Sequence, residues 1–502
     1  MIKEVIARIL GNTALSLGYD AGDSVRTRKD LGWGRATPRD EDSLVQDNTR
    51  NTMRQKAADL RRNNAVVAGV CDRLALFSVG AGGIVPQCRT RSNEWNRIAE
   101  DFWMNEFAPT CDSRGRSSLL DFQNMAVSLR PTHGGMYFQK LEDGTIRPIE
   151  CERIRDPQKP PNPSPYVEGV KVDKAGGTIR GYLVHSRDND GGFTSQHAEQ
   201  YVEAENIIPV IRPPWRPDMV REIPDFAPII PTLQDIHEMN KYMLNSTKWQ
   251  SMVLGFLKKQ GGNGLNSLQR GSTNPTAGSR QTFRFDWGEI LEGFPGDDLD
   301  MKAPATPNAT HIPYVKLQLA LCSSALSMPY EFFTLDLSGL DFSRQKGMLL
   351  LVNFACRPWK KWLIDRFLQP LWSWRMAMAM DGEIPPAPVD ANGISEWNKV
   401  EWQPPEEVWI DRQEAMQADM MEIQSGLGTL TRAAKRRGLD IEDLVRERAR
   451  EEKMIDGVAT ETGVNRDRLS KMQIPGQTGA IEKPAQEQPE PPAKKPEVED
   501  AK

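Results

Sequence analysis

The most apolar part of this chain is broken by a polar loop. "SALSMPYEFFT" leads into "LDLSGLDFSRQKG" (335–347), and "MLLLVNFACRPWKKWLIDRFLQPLW" follows. Apolar residues at helical spacing on both sides predict two helices, and the Gly, Asp and Ser between them predict a turn that neither helix can absorb. The spacing predicts the first helix over 311–328 and the second over about 343–380, kinked at Pro358 and Pro370. Such a pattern is either an ordinary surface turn between two helices or a loop that a large helical framework exists to hold in place.

Other segments fill in the frame. "PTLQDIHEMNKYMLNSTKWQSMVLGFLKKQ" (231–260) predicts a long helix, with Pro231 in its first turn and Gly261-Gly262 as its stop. Residues 261–308 are rich in Gly, Asn, Ser and Pro, with one β-like piece, "QTFRFDWGEILEGF". Upstream, 43–80 predicts one or two helices with Val67, Val70, Leu74 and Leu76 toward a core, closed by "GAGG". A helix is predicted over 92–107 with Trp95, Ile98, Phe102 and Trp103 on one side. Residues 118–141 read as helix, Gly-Gly turn and strand. Period-two alternation in "IRPIECERI", "YVEGVKV" and "RGYLVHS" predicts a β-rich region over 142–215. "KVEWQPPEEVWI" (399–410) reads as an interrupted strand, and 411–454 as helix, turn and helix. From Ile474 the chain is rich in Pro, Glu and Lys and has too few large apolar residues to bury a core.

Charge and composition exclude several function classes. The net charge is -5, so the chain as a whole does not advertise a basic surface of the kind that grips phosphates, although total charge leaves room for a local patch. Six scattered cysteines (71, 88, 111, 151, 322 and 356) have neither disulfide-framework nor zinc spacing, and they read as reduced, buried thiols. The first 22 residues carry Lys3, Glu4 and Arg8 within an apolar pattern, which reads as a short amphipathic helix and not a signal peptide. No apolar run is long enough to span a bilayer.

Catalytic motifs fail on inspection. There is no phosphate-binding G-x-x-x-x-G-K-[ST] and no G-x-S-x-G elbow, and "HEMNK" (237–241) has Lys241 where a zinc-binding helix needs His. Gly296-Asp297-Asp298 resembles a metal-binding carboxylate pair, but an acidic turn is the simpler account. The stripe Phe354, Trp359, Trp362, Phe367, Trp372 and Trp374 reads as a packing face. These residues alone describe a multi-domain α+β framework protein and disfavour an enzyme.

Five separated segments, in order, resemble the lambda-type family of bacteriophage portal proteins. "DLRRNNAVVAGVCDRL" (59–74) is similar to the family's N-terminal helix. "PVIRPPWRPDMVREIPDFAPIIPTLQDIHEMNKYM" (209–243) resembles its R-P-x-x-x-R-G-x-P-x-x-x-P segment, and "EGFPGDDLD" its P-G-E-x-I element. "ALSMPYEFFTLDLSGLDFSRQK" resembles L-G-x-P-Y-E-x-L…D-x-S…N-Y-S-S-x-R, and 400–444 resembles W-x-x-P…D-P-x-K-E…G-x-x-T…G-x-D-x-E-D. Three departures stand out. Ser327-Met328 replaces the family's Gly before Pro-Tyr-Glu, Arg221-Glu222 replaces Arg-Gly, and Asp341–Lys346 replaces Asn-Tyr-Ser-Ser-x-Arg.

The resemblance implies an α+β portal fold. It divides into an N-terminal arm (1–44), a wing (45–230 and 343–410), two stem helices (231–260 and 311–331), a clip (261–310), a tunnel loop (332–342), a helical crown (411–455) and a disordered tail (456–502). It further implies a homo-oligomeric ring of about twelve copies around a central channel, at one vertex of the virion capsid, assembled in the host cytoplasm. Double-stranded DNA would pass through non-specifically. The implied partners are the large terminase subunit, the major capsid or scaffold protein, and a head–tail adaptor. Neither a catalytic residue, a metal, a cofactor nor a membrane is implied. The tunnel-loop residues would be Glu331, Asp336, Ser338, Gly339, Asp341, Ser343, Arg344 and Lys346, with the three acids offsetting Arg344 and Lys346. The competing readings are a metal-dependent nuclease using Asp297 and Asp298, and a virion structural protein of another kind.

Overall fold

The computed structural model describes residues 41–462, apart from residues 46, 158–163, 174–176, 187–198, 253–255, 259–297, 301–310, 340, 408–411, 438 and 440. It divides into two compact units, Met1–Gly428 with Arg436–Gly438, and Thr429–Lys435 with Leu439–Lys502. Helix and sheet are mixed in the first unit. Most of the expected arm and clip, with the "QTFRFDWGEILEGF" piece, lie outside the described residues.

The first unit begins with α1 (Glu41–Leu44), α2 (Asp47–Asn63) and α3 (Ala65–Ser78). Asn64 separates α2 from α3, because its side chain accepts the N–H groups of Val66 and Val67 at 3.0 and 3.3 Å and so starts a new helix. Val67, Val70 and Leu74 face the core as expected. Leu76 does not. It is 60% exposed, since two residues beyond Leu74 lie on nearly the opposite side of a helix.

Strand β1 (Val85–Cys88) follows, then α4 (Asn93–Asp101), which widens into a π-helical turn over Phe102–Phe107. Trp95, Phe102 and Trp103 are buried there, whereas Ile98 is on the exposed side. Helix α5 (Leu119–His133) opens with a capping box. Ser118 Oγ accepts from the Asp121 N–H, and Asp121 Oδ2 accepts from the Ser118 N–H at 2.8 Å. It closes on Gly134 at φ 86, and Gly135 follows at φ 135. A Cβ on Gly135 would come within 2.3 Å of the Val210 carbonyl oxygen, so strand β2 (Gly135–Lys140) can pair closely with β8 (Ile207–Ile211) only because this residue is Gly.

Two antiparallel sheets form the β-rich region. One has the order β3 (Ile146–Ile149), β2, β8. The other has the order β4 (Tyr166–Val167), β5 (Val170–Val172), β6 (Ile179–His185), β7 (Glu199–Glu203). "YVEGVKV", expected as one strand, is a hairpin that turns at Glu168 (φ 47) and Gly169 (φ 83). "IRPIECERI" leaves the strand after Ile149 for a single helical turn at Cys151–Arg153.

Helix α6 (Ile230–Met252) is shorter than expected. Phe256–Lys258, assigned to the helix from sequence, forms strand β9 and pairs antiparallel with β10 (Asp298–Asp300). Helix α7 (His311–Ala325) packs against α6, and the short α8 (Tyr330–Thr334) packs against α7. The long helix then runs as α9 (Phe342–Leu363), a π-helical turn over Ile364–Leu368, and α10 (Gln369–Ala379). The helix passes through Pro358. Its irregularity falls just before Pro370, which has no N–H to return to the preceding turn.

This long helix is the centre of the main core. Trp359, Trp362, Phe367 and Trp372 are buried, but Phe354, expected on the same stripe, is 51% exposed, with the Arg357 guanidinium over its ring at 4.4 Å. Two indoles, a buried one and a half-buried one, tie the helix to the sheets. Trp362 Nε1 donates to the Ile211 carbonyl at 2.8 Å, and Trp402 Nε1, from β11 (Val400–Gln403), donates to Gln369 at 2.7 Å. All six cysteines are buried and unpaired. None of the described helices is long and apolar enough to cross a membrane.

In the first unit, α11 (Arg412–Gln424) follows β11. The second unit contains α12 (Ile441–Thr462). This helix continues beyond Ile455, where the crown was expected to end, and so enters the segment expected to lack structure.

Candidate functional site

The polar loop of the sequence is a short exposed segment between two anchored helices. Helix α7 ends with Met328 N–H donating to the Ser323 carbonyl at 3.1 Å, and Ser327 in the left-handed region at φ 55. This is the position where the family motif carries Gly, and the backbone conformation gives the reason, because Gly enters this region without a Cβ clash. Pro329 then leads into α8, whose Phe332 and Phe333 are buried. Arg73 of α3 donates to the Phe333 carbonyl at 2.8 Å, and Phe77 meets the Phe332 ring edge-on at 5.6 Å. The expected loop of 332–342 is therefore shorter at its start, since its first three residues belong to a packed helix.

Leu335 ends α8 at φ 57, its N–H donating to the Glu331 carbonyl at 2.7 Å. Asp336 then organises the turn. Its Oδ1 accepts the Ser338 N–H at 3.1 Å and the Ser338 hydroxyl, and its own N–H donates to Thr334 Oγ1 at 3.3 Å. Its Oδ2 accepts from Lys316 Nζ, on α7, at 2.8 Å. Lys316 and the Ser338 donors hold the Asp336 carboxyl down to about 2, and the same bond raises the Lys316 ammonium.

The structure brings Asp336 and Ser338 together, the D-x-S of the family motif. Gly339 stands at the exposed tip at φ 74, where a side chain would meet nothing within 4 Å. Asp341 takes the N-cap position of α9 without a side-chain cap, and its carbonyl accepts the Gln345 N–H at 3.0 Å. Ser343, Arg344 and Lys346 lie exposed on the first turns of α9, and Glu331 is half-buried on α8. The charge balance expected within the loop is thus taken up differently, with Asp336 paired to Lys316 of α7. Sequence reasoning misses Lys316, because a lysine on a predicted helix carries no signal of a partner 20 residues away. Leu335, Leu337 and Phe342 are exposed, which gives the loop apolar tips as well as acids.

A second polar constellation escapes the sequence as well. Glu222, where the family has Gly, is fully buried. It accepts from Arg54, from Arg221 at 3.1 Å and from Tyr137 Oη at 2.6 Å. Burial opposes its charge, but Arg221 and Arg54 outweigh burial and hold its pKa at about 2. Arg50 similarly bridges Asp42, at 2.6 Å, and Glu168. These bonds join α1 and α2 to the β-rich region. Asp298, of the nuclease alternative, lies in β10, and the described residues hold no group of three His, Cys, Asp or Glu placed to bind a metal.

Fold and site together define a helical and β-sheet framework that presents one structured loop. The model of the lambda-family phage portal proteins matches residues 26–356, which include α7, α8, the loop and the first part of α9. The chain belongs to the lambda family of phage portal proteins, virion components that connect head and tail. No curated protein sequence matches it. Among solved structures it is similar to a chain in the neck of an empty GTA particle computed with C6 symmetry, with 11% identity and a TM-score of 0.41 over 75% of this chain and 90% of that one. A chain in the neck of the native GTA particle computed with C12 symmetry gives 11% and 0.41 over 76% and 92%. A chain in the virion of the native gene transfer agent particle gives 12% and 0.37 over 75% and 90%.

Proposed function

We propose that this portal protein assembles as a ring of about twelve copies around a channel for double-stranded DNA, and that Leu335–Asp341 narrows the channel. The family match through residue 356 carries the reading, because it extends across α7, the loop and the start of α9. The loop's chemistry supports it. Tight DNA binding needs unpaired cations that displace counterions from phosphates. This loop instead offers acids, hydroxyls and short apolar tips, on a chain of net charge -5. A duplex would be surrounded without being held. The wing would meet the major capsid or scaffold protein, and residues 261–310 would dock first the large terminase subunit and later the head–tail adaptor. The chain would supply no catalysis and need no cofactor.

Electron microscopy of the purified protein tests the assembly directly. Rings with a central hole are expected, and solitary monomers recovered from virions would overturn the reading. Charge reversal by Asp336→Lys with Asp341→Lys tests the loop. Ring formation should persist while DNA packaging or retention falls, and unimpaired packaging would remove the loop from the mechanism.

A further inference from the structure

Lys316 and Asp336 join a firmly held element to a loosely held one. Helix α7 packs on α6 and α8, and its Leu319 and Cys322 are buried. Leu335–Gly339 is bonded mostly to itself, through the Ser338-to-Asp336 and Asp336-to-Thr334 hydrogen bonds and the closing turn of α8. Among the described residues, its one polar link to another long helix is the 2.8 Å pair with Lys316. Both ends of the segment have backbone conformations suited to pivoting. Leu335 at φ 57 is a non-glycine residue in the left-handed region, and Gly339 at φ 74 has open space around its Cα. The Lys316 side chain is 49% exposed, so salt screens the pair and competing anions can reach it.

We propose that the Lys316–Asp336 pair is a latch that pins the loop to α7, and that salt or a competing phosphodiester backbone opens it. Closed, the latch fixes Leu335–Gly339. Open, the segment swings about Leu335 and Gly339 while α8 stays anchored through Phe332, Phe333 and Arg73. The phosphodiester clause rests on the portal reading, under which a duplex passes beside this loop; the latch itself does not. With Asp336 held at about 2 and the Lys316 ammonium raised, both partners keep their charges through the neutral range, so ionic strength and not pH sets the opening.

Amide hydrogen exchange of Leu335–Gly339 in the purified full-length protein tests the latch. Between about 0.05 M and about 0.5 M sodium chloride the screening length shortens severalfold, and exchange of these amides should quicken about threefold to fivefold, as expected for losing one exposed pair. Lys316→Gln and Asp336→Asn should be fast already at low salt and insensitive to further salt. Asn keeps the Oδ1 acceptor for Ser338, so that variant removes the charge while preserving the turn. The amides of β2 serve as an internal control. If they quicken in a variant, that variant has lost its fold and the wild-type salt titration alone decides. Unchanged exchange across salt in the wild type, or unchanged exchange in well-folded variants, overturns the latch. A short DNA duplex added at constant ionic strength should quicken the same amides. A salt effect without a duplex effect overturns the phosphodiester clause alone. Failure to package DNA with these exchange results intact would count against the portal reading and leave the latch standing.

Discussion

Glu222 shows what a single buried carboxylate does in this fold. Its partners Arg54 and Arg221 are themselves buried, so removing its charge takes away the one carboxylate that both guanidinium groups touch. Glu222→Gln should destabilise the protein by about 3–5 kcal/mol, the usual cost of breaking a buried pair from one side, measured by urea unfolding at neutral pH. The pH dependence has a definite sign. The folded pKa is lowered to about 2, so the stabilisation is complete above the ordinary carboxylate range and drains away as pH falls through that range toward about 2. The variant should have a flatter acid limb. Ser327 is the opposite case, a strained residue where the backbone suits Gly. Ser327→Gly should stabilise by about 0.5–1 kcal/mol, with relief of the left-handed strain exceeding the added unfolded-state entropy, read as a shift in the urea midpoint at constant slope. At this scale the sequence is legible where helical position decides burial, as at Val67, Val70 and Leu74. It is not legible where burial depends on a distant partner. Glu222 sits in a Pro- and Arg-rich segment with no helical or strand period to indicate burial, and Arg54 is 168 positions away.

At the level of elements, the long helix is legible because its tryptophans mark its packing face and Pro370 marks its irregular turn, whereas the kink expected at Pro358 is absent. The exact place of the π-helical turn is not, since it depends on which carbonyl each N–H before Pro370 reaches. The β9 strand is hidden for a different reason. Phe256–Lys258 continues an apolar run that suits a helix equally well, and its pairing with Asp298–Asp300 is a tertiary choice. The loop is legible as a loop, but its bond to α7 is not. The packing of α9 gives a further expectation. Trp362 donates to the Ile211 carbonyl and lies under the Arg130 guanidinium, whose carbon is 4.7 Å from its ring centroid. Trp362→Phe keeps an aromatic face but leaves that carbonyl without its indole donor. It should cost about 1–3 kcal/mol, seen as a lower urea midpoint with the secondary structure unchanged by circular dichroism.

For the whole molecule, the surface of α7 is the informative one. Leu319 and Cys322 line its inward face, yet Tyr314, Leu317 and Leu321 on the other side are 51–56% exposed in the isolated chain. A helix apolar on all sides is normally covered on all sides. The ring reading supplies the cover, because a neighbouring copy would lie against the stem of each subunit. Leu317→Glu with Leu321→Glu places two carboxylates on that outward face without touching the inward one, so the subunit should still fold. The expected outcome is a monomer by light scattering, with an unchanged circular-dichroism spectrum, where the unaltered protein forms a large assembly. If the altered protein still assembles, this face of α7 is not part of the subunit contact, and the cover for its leucines must come from a head or tail protein instead.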